Sequence, residues 1–123
     1  MSNGELGRIY HDGEVIVKQG EVGDCMYVIL EGQVEVVYER NGREIHLAYR
    51  TKDDYFGEMA LFEKEVRMAT VRAAGSVRLL TIDRKNLMRH ISANPSLALR
   101  MLETMSKRLR ELSEEVAQFK GSQ

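Results

Sequence analysis

Up to about Asp83 the apolar residues of this 123-residue chain come in short runs. Glu14–Lys18, Cys25–Leu30, Gln33–Arg40 and Arg43–Arg50 are rich in Val, Ile, Leu and Tyr. Gly20, Gly23-Asp24, Glu31-Gly32 and Asn41-Gly42 separate them. This pattern predicts strands divided by turns. Apolar alternation shows in Val34/Val36/Tyr38 and again in Ile45/Leu47/Tyr49. Asn41-Gly42 predicts a tight hairpin, because both residues tolerate the positive φ of a primed turn. Ala69–Ala73 and Val77–Asp83, joined by Ala74-Gly75-Ser76, supply two further strands. Many short antiparallel strands with glycine turns predict a mainly β domain, a small sandwich, jelly roll or barrel.

After Asp83 the period changes. Asp83 is placed to cap a helix over Lys85–Ile91. That helix must end near Asn94-Pro95, since the residue before a proline avoids the helical region. Ser96 or Asn94 is then a candidate cap for a long helix reaching about Phe119, with Gly121 and Ser122 as its frayed end. On this helix Leu102, Met105, Leu109, Leu112, Val116 and Phe119 are spaced 3, 4, 3, 4 and 3, an a/d seam of the coiled-coil kind. A shorter helix would lay such a stripe on the strand domain. This seam runs further than one small domain covers, so a parallel homodimer is expected. The layout expected is a disordered or tag-like segment 1–9, a strand domain with its hinge helix over 10–94, a dimer helix over 95–119 and a tail over 120–123.

Composition narrows the partners. Eighteen Lys+Arg against 19 Asp+Glu give a net charge of −1, so no basic field for nucleic acid is evident. The single cysteine, Cys25, excludes a disulfide within the chain and a four-cysteine metal site. It suits a reducing compartment. No apolar run has the length of a membrane helix and the start is not a signal peptide. The expectation is a soluble, cytoplasmic protein.

The candidate chemistry lies in Phe56-Gly57-Glu58-Met59-Ala60-Leu61 and, beyond it, Arg67-Met68-Ala69-Thr70-Val71. Gly57 has no side chain to keep an anion away. Glu58–Leu61 can form one helical turn whose N–H groups, those of Met59 and Ala60 among them, point at a phosphate. Arg67 offers a planar fork suited to phosphate oxygens, the amides of Met68 and Ala69 are further donors, and Glu58 can accept from a sugar hydroxyl. Taken alone, Glu58 reads as a helix-start carboxylate and Arg67 as a surface ion pair. Their joint appearance with the glycine in one strand–turn–strand context favours a pocket for a small phosphate ester.

These residues resemble a known family. Phe56–Ala73 is similar to the phosphate-binding cassette of cyclic nucleotide-binding domains: F-G-E-x-A-L, a short variable stretch, then R-x-A-[TS]-V, with Arg67 ten residues after Gly57. Gly20-Glu21-Val22-Gly23-Asp24, Met26-Tyr27-Val28-Ile29 and Glu31-Gly32-Gln33-Val34 resemble the family's early strands and turns. The helical tail resembles the hinge and dimer helices of bacterial transcription regulators of the catabolite activator type. The resemblance implies an antiparallel β-roll (a double-stranded β-helix) followed by a hinge helix and a long dimer helix. It also implies a cyclic nucleotide as regulatory ligand, with Glu58 on the ribose 2′-OH, Arg67 on the cyclic phosphate, and the amides of Gly57, Ala60, Met68 and Ala69 completing the cradle. Met68 stands where relatives carry Ser, Thr or Ala, which argues for cAMP over cGMP. Leu112-Ser113 aligns with the pair that reads the base, so Ser113 is the expected polar contact there, contributed from the partner subunit. In the implied switch, ligand orders the cassette, which shifts against the helix Arg84–Ile91 and alters the packing of the long helix. The expected setting is the sensor of a longer regulator or a stand-alone sensor acting on another protein.

The alternative is a dimerisation or docking module with a degenerate pocket. An enzyme is not expected, because no Ser/His/Asp or Cys/His arrangement is visible. His11, His46 and His90 lack ligand spacing with Cys25, so no metal is expected. Cys25, at the start of a strand, reads as a small apolar packing residue, Met88, Met101 and Met105 as core filler, and Asp53-Asp54 as a loop-capping pair.

Overall fold

The computed structural model describes residues 7–63 and 66–122. The chain divides into two compact units, Met1–Arg84 and Lys85–Gln123. In the first, the apolar runs become strands β1 (Arg8–Tyr10), β2 (Val15–Val17), β3 (Cys25–Glu31), β4 (Gln33–Arg40), β5 (Arg43–Thr51), β6 (Tyr55–Phe56), β7 (Thr70–Ala73) and β8 (Val77–Asp83), with a short helix α1 (Met59–Glu63) after β6. They form two four-stranded sheets in the orders β1-β8-β3-β6 and β2-β7-β4-β5, with every pairing antiparallel. This is the expected mainly β roll.

The core draws on both sheets. Tyr10, Ile29, Phe56, Val77 and Leu79 come from one; Val17, Val34, Val71 and Ala73 come from the other. Ile29, Val34 and Leu79 have no accessible surface. Asn41 and Gly42 both have positive φ, 53° and 77°, and Arg40 pairs with Arg43: the predicted two-residue primed hairpin.

Three expectations are corrected. The alternation Val34/Val36/Tyr38 does not survive in β4, because the register shifts between Val36 and Val37. A bulge changes which residues face inward, so Val37 is buried and Tyr38 exposed. On β5, an edge strand, Ile45, Leu47 and Tyr49 are all exposed. Of the segment 1–9, residues 1–6 lie outside the described residues, but Arg8 and Ile9 belong to β1 and pair with Leu79 and Arg78. β1 and β6 are too short to show a period, so partner strands rather than pattern define them.

The helices that follow are α2 (Arg84–Ala93) and α3 (Ser96–Gly121), all but Arg84 within the second unit. The cap expected of Asn94 or Ser96 does not form. Pro95 occupies the N-cap position with no side-chain cap, and the Ser96 hydroxyl donates to Asn94 Oδ1 at 2.6 Å. At the other end the Ser122 hydroxyl donates to the carbonyls of Gln118 and Phe119 at 3.0 and 2.9 Å, so this end is capped rather than frayed. Gln123, the end of the expected tail, lies outside the described residues. Leu87 and Met101 are buried, whereas Met88 is exposed and is not core filler.

Truncating Leu79 to Ala empties the centre of the core. It should cost about 2–5 kcal/mol of stability, read as a lower urea midpoint; an unchanged midpoint would contradict the placement of this side chain.

Candidate functional site

The turn joining β6 to α1 and the segment entering β7 meet at Arg67. Arg67 is a long cationic side chain at only 9% exposure. Its Nη1 donates to the Gly57 carbonyl at 3.0 Å and its Nη2 to the Cys25 carbonyl at 2.9 Å, with Cys25 Sγ 3.8 Å away. Among the described residues no carboxylate pairs with it. Guanidinium is always charged and carries five N–H donors. A buried charge without an opposite partner is costly, and two neutral carbonyls offset that cost only in part. The arrangement is one that gains from an anion.

The backbone fixes Arg67 as firmly as the side chain does. Its N–H donates to Glu21 O at 2.7 Å and its carbonyl accepts from Gly20 N at 2.9 Å, while Val22 and Val66 form an isolated antiparallel bridge. The 19–24 turn is itself anchored. Gln19 N donates to Thr70 Oγ1 at 3.0 Å, and the Gln19 side chain holds both the N–H and the carbonyl of Glu39.

The expected site residues are distributed as follows. Gly57, with φ 81°, supplies the carbonyl that receives Arg67. That carbonyl also accepts from Ala60 N at 3.3 Å, and Glu58 O accepts from Leu61 N at 3.0 Å, so the Ala60 amide is already engaged within the turn. Glu58 is half-buried just before α1, Met59 is exposed and Ala60 buried in its first turn. Met68 is 63% exposed and Ala69 half-buried. Ser113 lies in the second unit, exposed on α3, in a shallow groove with Leu109, Leu112, Val116 and Ala117. The structure therefore brings Gly57 and Arg67 into contact and leaves Met68 facing solvent.

A cavity of about 190 Å³ adjoins Arg67; Lys18, Glu21, Gly23, Asp24, Cys25 and Tyr27 are among its lining residues. Of the expected residues Arg67 alone reaches it. Cys25, expected as a small apolar packing residue at a strand start, is half-buried and lines this cavity. Tyr27 stacks on Phe56 with ring centroids 5.0 Å apart. Burial pushes the Tyr27 phenol well above the ordinary tyrosine value, the Cys25 thiol adds to this, and Arg67 opposes it. Gly23, Cys25 and Tyr27 show in the sequence only as turn and strand residues. A backbone carbonyl that receives an arginine leaves no trace in residue identity, so nothing in the pattern could have singled out Cys25.

The chain is similar to known proteins over most of its length. A family model described as the cyclic nucleotide-binding domain matches residues 8–94. A cAMP-dependent protein kinase regulatory subunit from Blastocladiella emersonii is 40% identical over 81 residues, covering 65% of this chain and 20% of that protein. The cAMP-activated global transcriptional regulator CRP of Salmonella typhimurium is 33% identical over 109 residues, covering 87% of this chain and 52% of that protein. Among solved structures, the catabolite activator protein of Thermus thermophilus superposes with a TM-score of 0.79 at 30% identity, covering 89% of this chain and 52% of the other. The chain spans between about a fifth and about half of the length of the curated relatives it matches.

Because the folded Tyr27 pKa lies above the unfolded value near 10.0, its contribution to stability is complete below that pH and is lost as pH rises above it. Unfolding free energy should therefore fall in the alkaline range, and Tyr27→Phe should flatten that fall; an identical alkaline slope in the variant would show that another group is responsible.

Proposed function

We propose that this chain, which belongs to the cyclic nucleotide-binding domain family, is a regulatory sensor module that binds cAMP in preference to cGMP. The observation that carries this reading is the buried Arg67 guanidinium, held by two carbonyls and paired with no carboxylate among the described residues. A phosphodiester supplies the missing negative charge, and charge-assisted hydrogen bonds of this kind are among the stronger polar contacts. Gly57 leaves room for the ligand, Glu58 accepts from the ribose hydroxyl, and the amides of Met59, Ala60, Met68 and Ala69 supply further donors. The Ala60 bond to Gly57, at 3.3 Å, is long and is readily exchanged for a ligand oxygen. Ser113 on α3, contributed from a second copy of the chain, is the proposed polar contact for the base. The alternative, a docking module with a degenerate pocket, leaves a buried cation without a use.

The role is regulatory rather than catalytic, in a transcription regulator or another signalling protein, in the cytoplasm. No helix among the described residues is long and apolar enough to cross a membrane. A ligand that binds one of two conformations better shifts their populations by that difference in affinity. For output we propose a parallel homodimer along α3. The helix is about 39 Å long at 1.5 Å per residue, and Leu102, Leu109, Leu112, Val116 and Phe119 are all at least half exposed on it, with Met105 half-buried. Such a stripe is the substrate of knobs-into-holes packing with a second copy.

Calorimetric titration should give saturable cAMP binding, weaker binding of cGMP, and a loss of about tenfold or more in affinity for Arg67→Ala, the worth of one charged hydrogen-bonding group. No heat with either nucleotide well above micromolar concentration would sink the ligand assignment. Sedimentation equilibrium should show a dimer that Leu109→Glu and Leu112→Glu convert to monomer; a wild-type chain that sediments as a monomer at high concentration would rule the dimer out.

A further inference from the structure

The β4–β5 hairpin ends on a pair of arginines that no carboxylate of the described chain balances. Arg40 and Arg43 stand directly opposite each other across the Asn41-Gly42 turn, and both are exposed. Like charges directly opposite one another destabilise a strand pair. The other strand arginines are engaged. Arg8 lies over the Tyr10 ring at 4.8 Å, Arg50 pairs with Asp54, Arg72 with Glu35 and Glu44, and Arg78 with Glu31. Among the described residues neither Arg40 nor Arg43 has a carboxylate partner. The carboxylates nearest in sequence do not serve. Glu39 and Glu44 form the next cross-strand pair, which lies on the opposite face because successive strand residues alternate. There Arg72 Nη1 donates to both Glu44 oxygens, at 3.1 and 3.0 Å. The face that carries the arginines carries an apolar pair instead. Tyr38 and Ile45 oppose each other two residues in from Arg40 and Arg43, and both are exposed. The register shift of this hairpin lies before Val37, so the two pairs sit in regular alternation. An open cleft of about 480 Å³ at this end is lined by Arg40, Asn41, Arg43 and Ile45.

We propose that this hairpin face is a docking surface for an acidic segment of a partner protein. The segment sets carboxylates between Arg40 and Arg43 and lays an apolar side chain on Tyr38 and Ile45. Charge complementarity selects the occupant. Guanidinium groups bind carboxylates as planar, bidentate forks, and a carboxylate between two of them replaces a repulsion within the hairpin by two attractions. The apolar pair supplies the patch from which such a contact excludes water. A nucleic acid fits less well, since backbone binding draws on many phosphate contacts and this tip offers two cations in a chain of net charge −1. The primed turn, with positive φ at Asn41 and Gly42, fixes the backbone that carries both arginines before binding, which lowers the cost of ordering on this side. The surface requires no ligand at Arg67.

The test is a nuclear magnetic resonance titration of the isotope-labelled full chain with three probes: a short synthetic peptide of Glu, Leu and Phe, its counterpart with Gln in place of every Glu, and a short DNA duplex. The acidic peptide should give saturable amide shifts centred on residues 38–45, with an affinity that falls as salt is raised. The Gln counterpart should bind about tenfold or more weakly, the loss expected when charged hydrogen bonds become neutral ones. Arg40→Glu and Arg43→Glu should each remove the shifts while far-ultraviolet circular dichroism and the cAMP titration stay as in the wild type. If either reversal fails to fold, Arg40→Gln or Arg43→Gln makes the same comparison and should weaken the peptide. Absence of saturable shifts at the hairpin with millimolar peptide would overturn the proposal. Equal binding by the Gln counterpart, or undiminished binding by the arginine variants, would do the same. A duplex that shifts these residues at lower concentration than the acidic peptide would overturn it in favour of nucleic acid.

Discussion

A guanidinium placed inside a small β domain is the constraint around which this chain is arranged. Charge is expensive to bury, and Arg67 is buried with two carbonyls as its hydrogen-bond acceptors and no carboxylate paired with it among the described residues. Several otherwise unremarkable features serve that placement. Gly57 turns the chain with positive φ so that its carbonyl meets Nη1. Cys25 starts β3 and offers Nη2 its carbonyl. The 20–22 turn clamps the Arg67 backbone from both sides, and Gly23 leaves space for the head group. Among the described residues that charge has no opposite partner, and an anion would relieve it.

The two sheets make that placement possible. A core shared between them, from Ile29 and Leu79 on one side to Val34 and Val71 on the other, holds β3 and β7 in fixed relation. β3 carries Cys25 and Tyr27, and β7 begins three residues after Arg67. The cross-links between turns and strands have the same effect at smaller scale. Gln19 ties the 19–24 turn to β4 through Glu39 and to β7 through Thr70. Rigid neighbours keep a buried charge from relaxing toward water.

Much of the strand plan was legible along the chain. The β4–β5 hairpin follows from Asn41-Gly42 alone, because two successive positive φ angles leave few other residue choices. Strands with five or more patterned residues were legible too. β1 and β6, of three and two residues, were not, since their existence depends on β8 and β3 being there to pair with. The bulge after Val36 defeats any strict alternation, as one extra residue reverses the faces beyond it. At the end of α2, proline displaced the polar residues expected to cap α3, and Asn94 and Ser96 bond to each other instead.

The sequence by itself determined the β-then-α order, the cassette from Phe56 to Ala73, and the pairing of an anion-ready glycine with one arginine. These rest on local preference and on spacing, which are properties of the chain. Tertiary structure alone decided that Arg67 is buried, that Cys25 and Gly57 seat it through backbone carbonyls, and that Gly23 lies against its head group. Those contacts join residues up to 44 positions apart, from Gly23 to Arg67. They involve backbone atoms common to every residue type and empty space that no residue type announces, so they exist only once the sheets have brought the segments together.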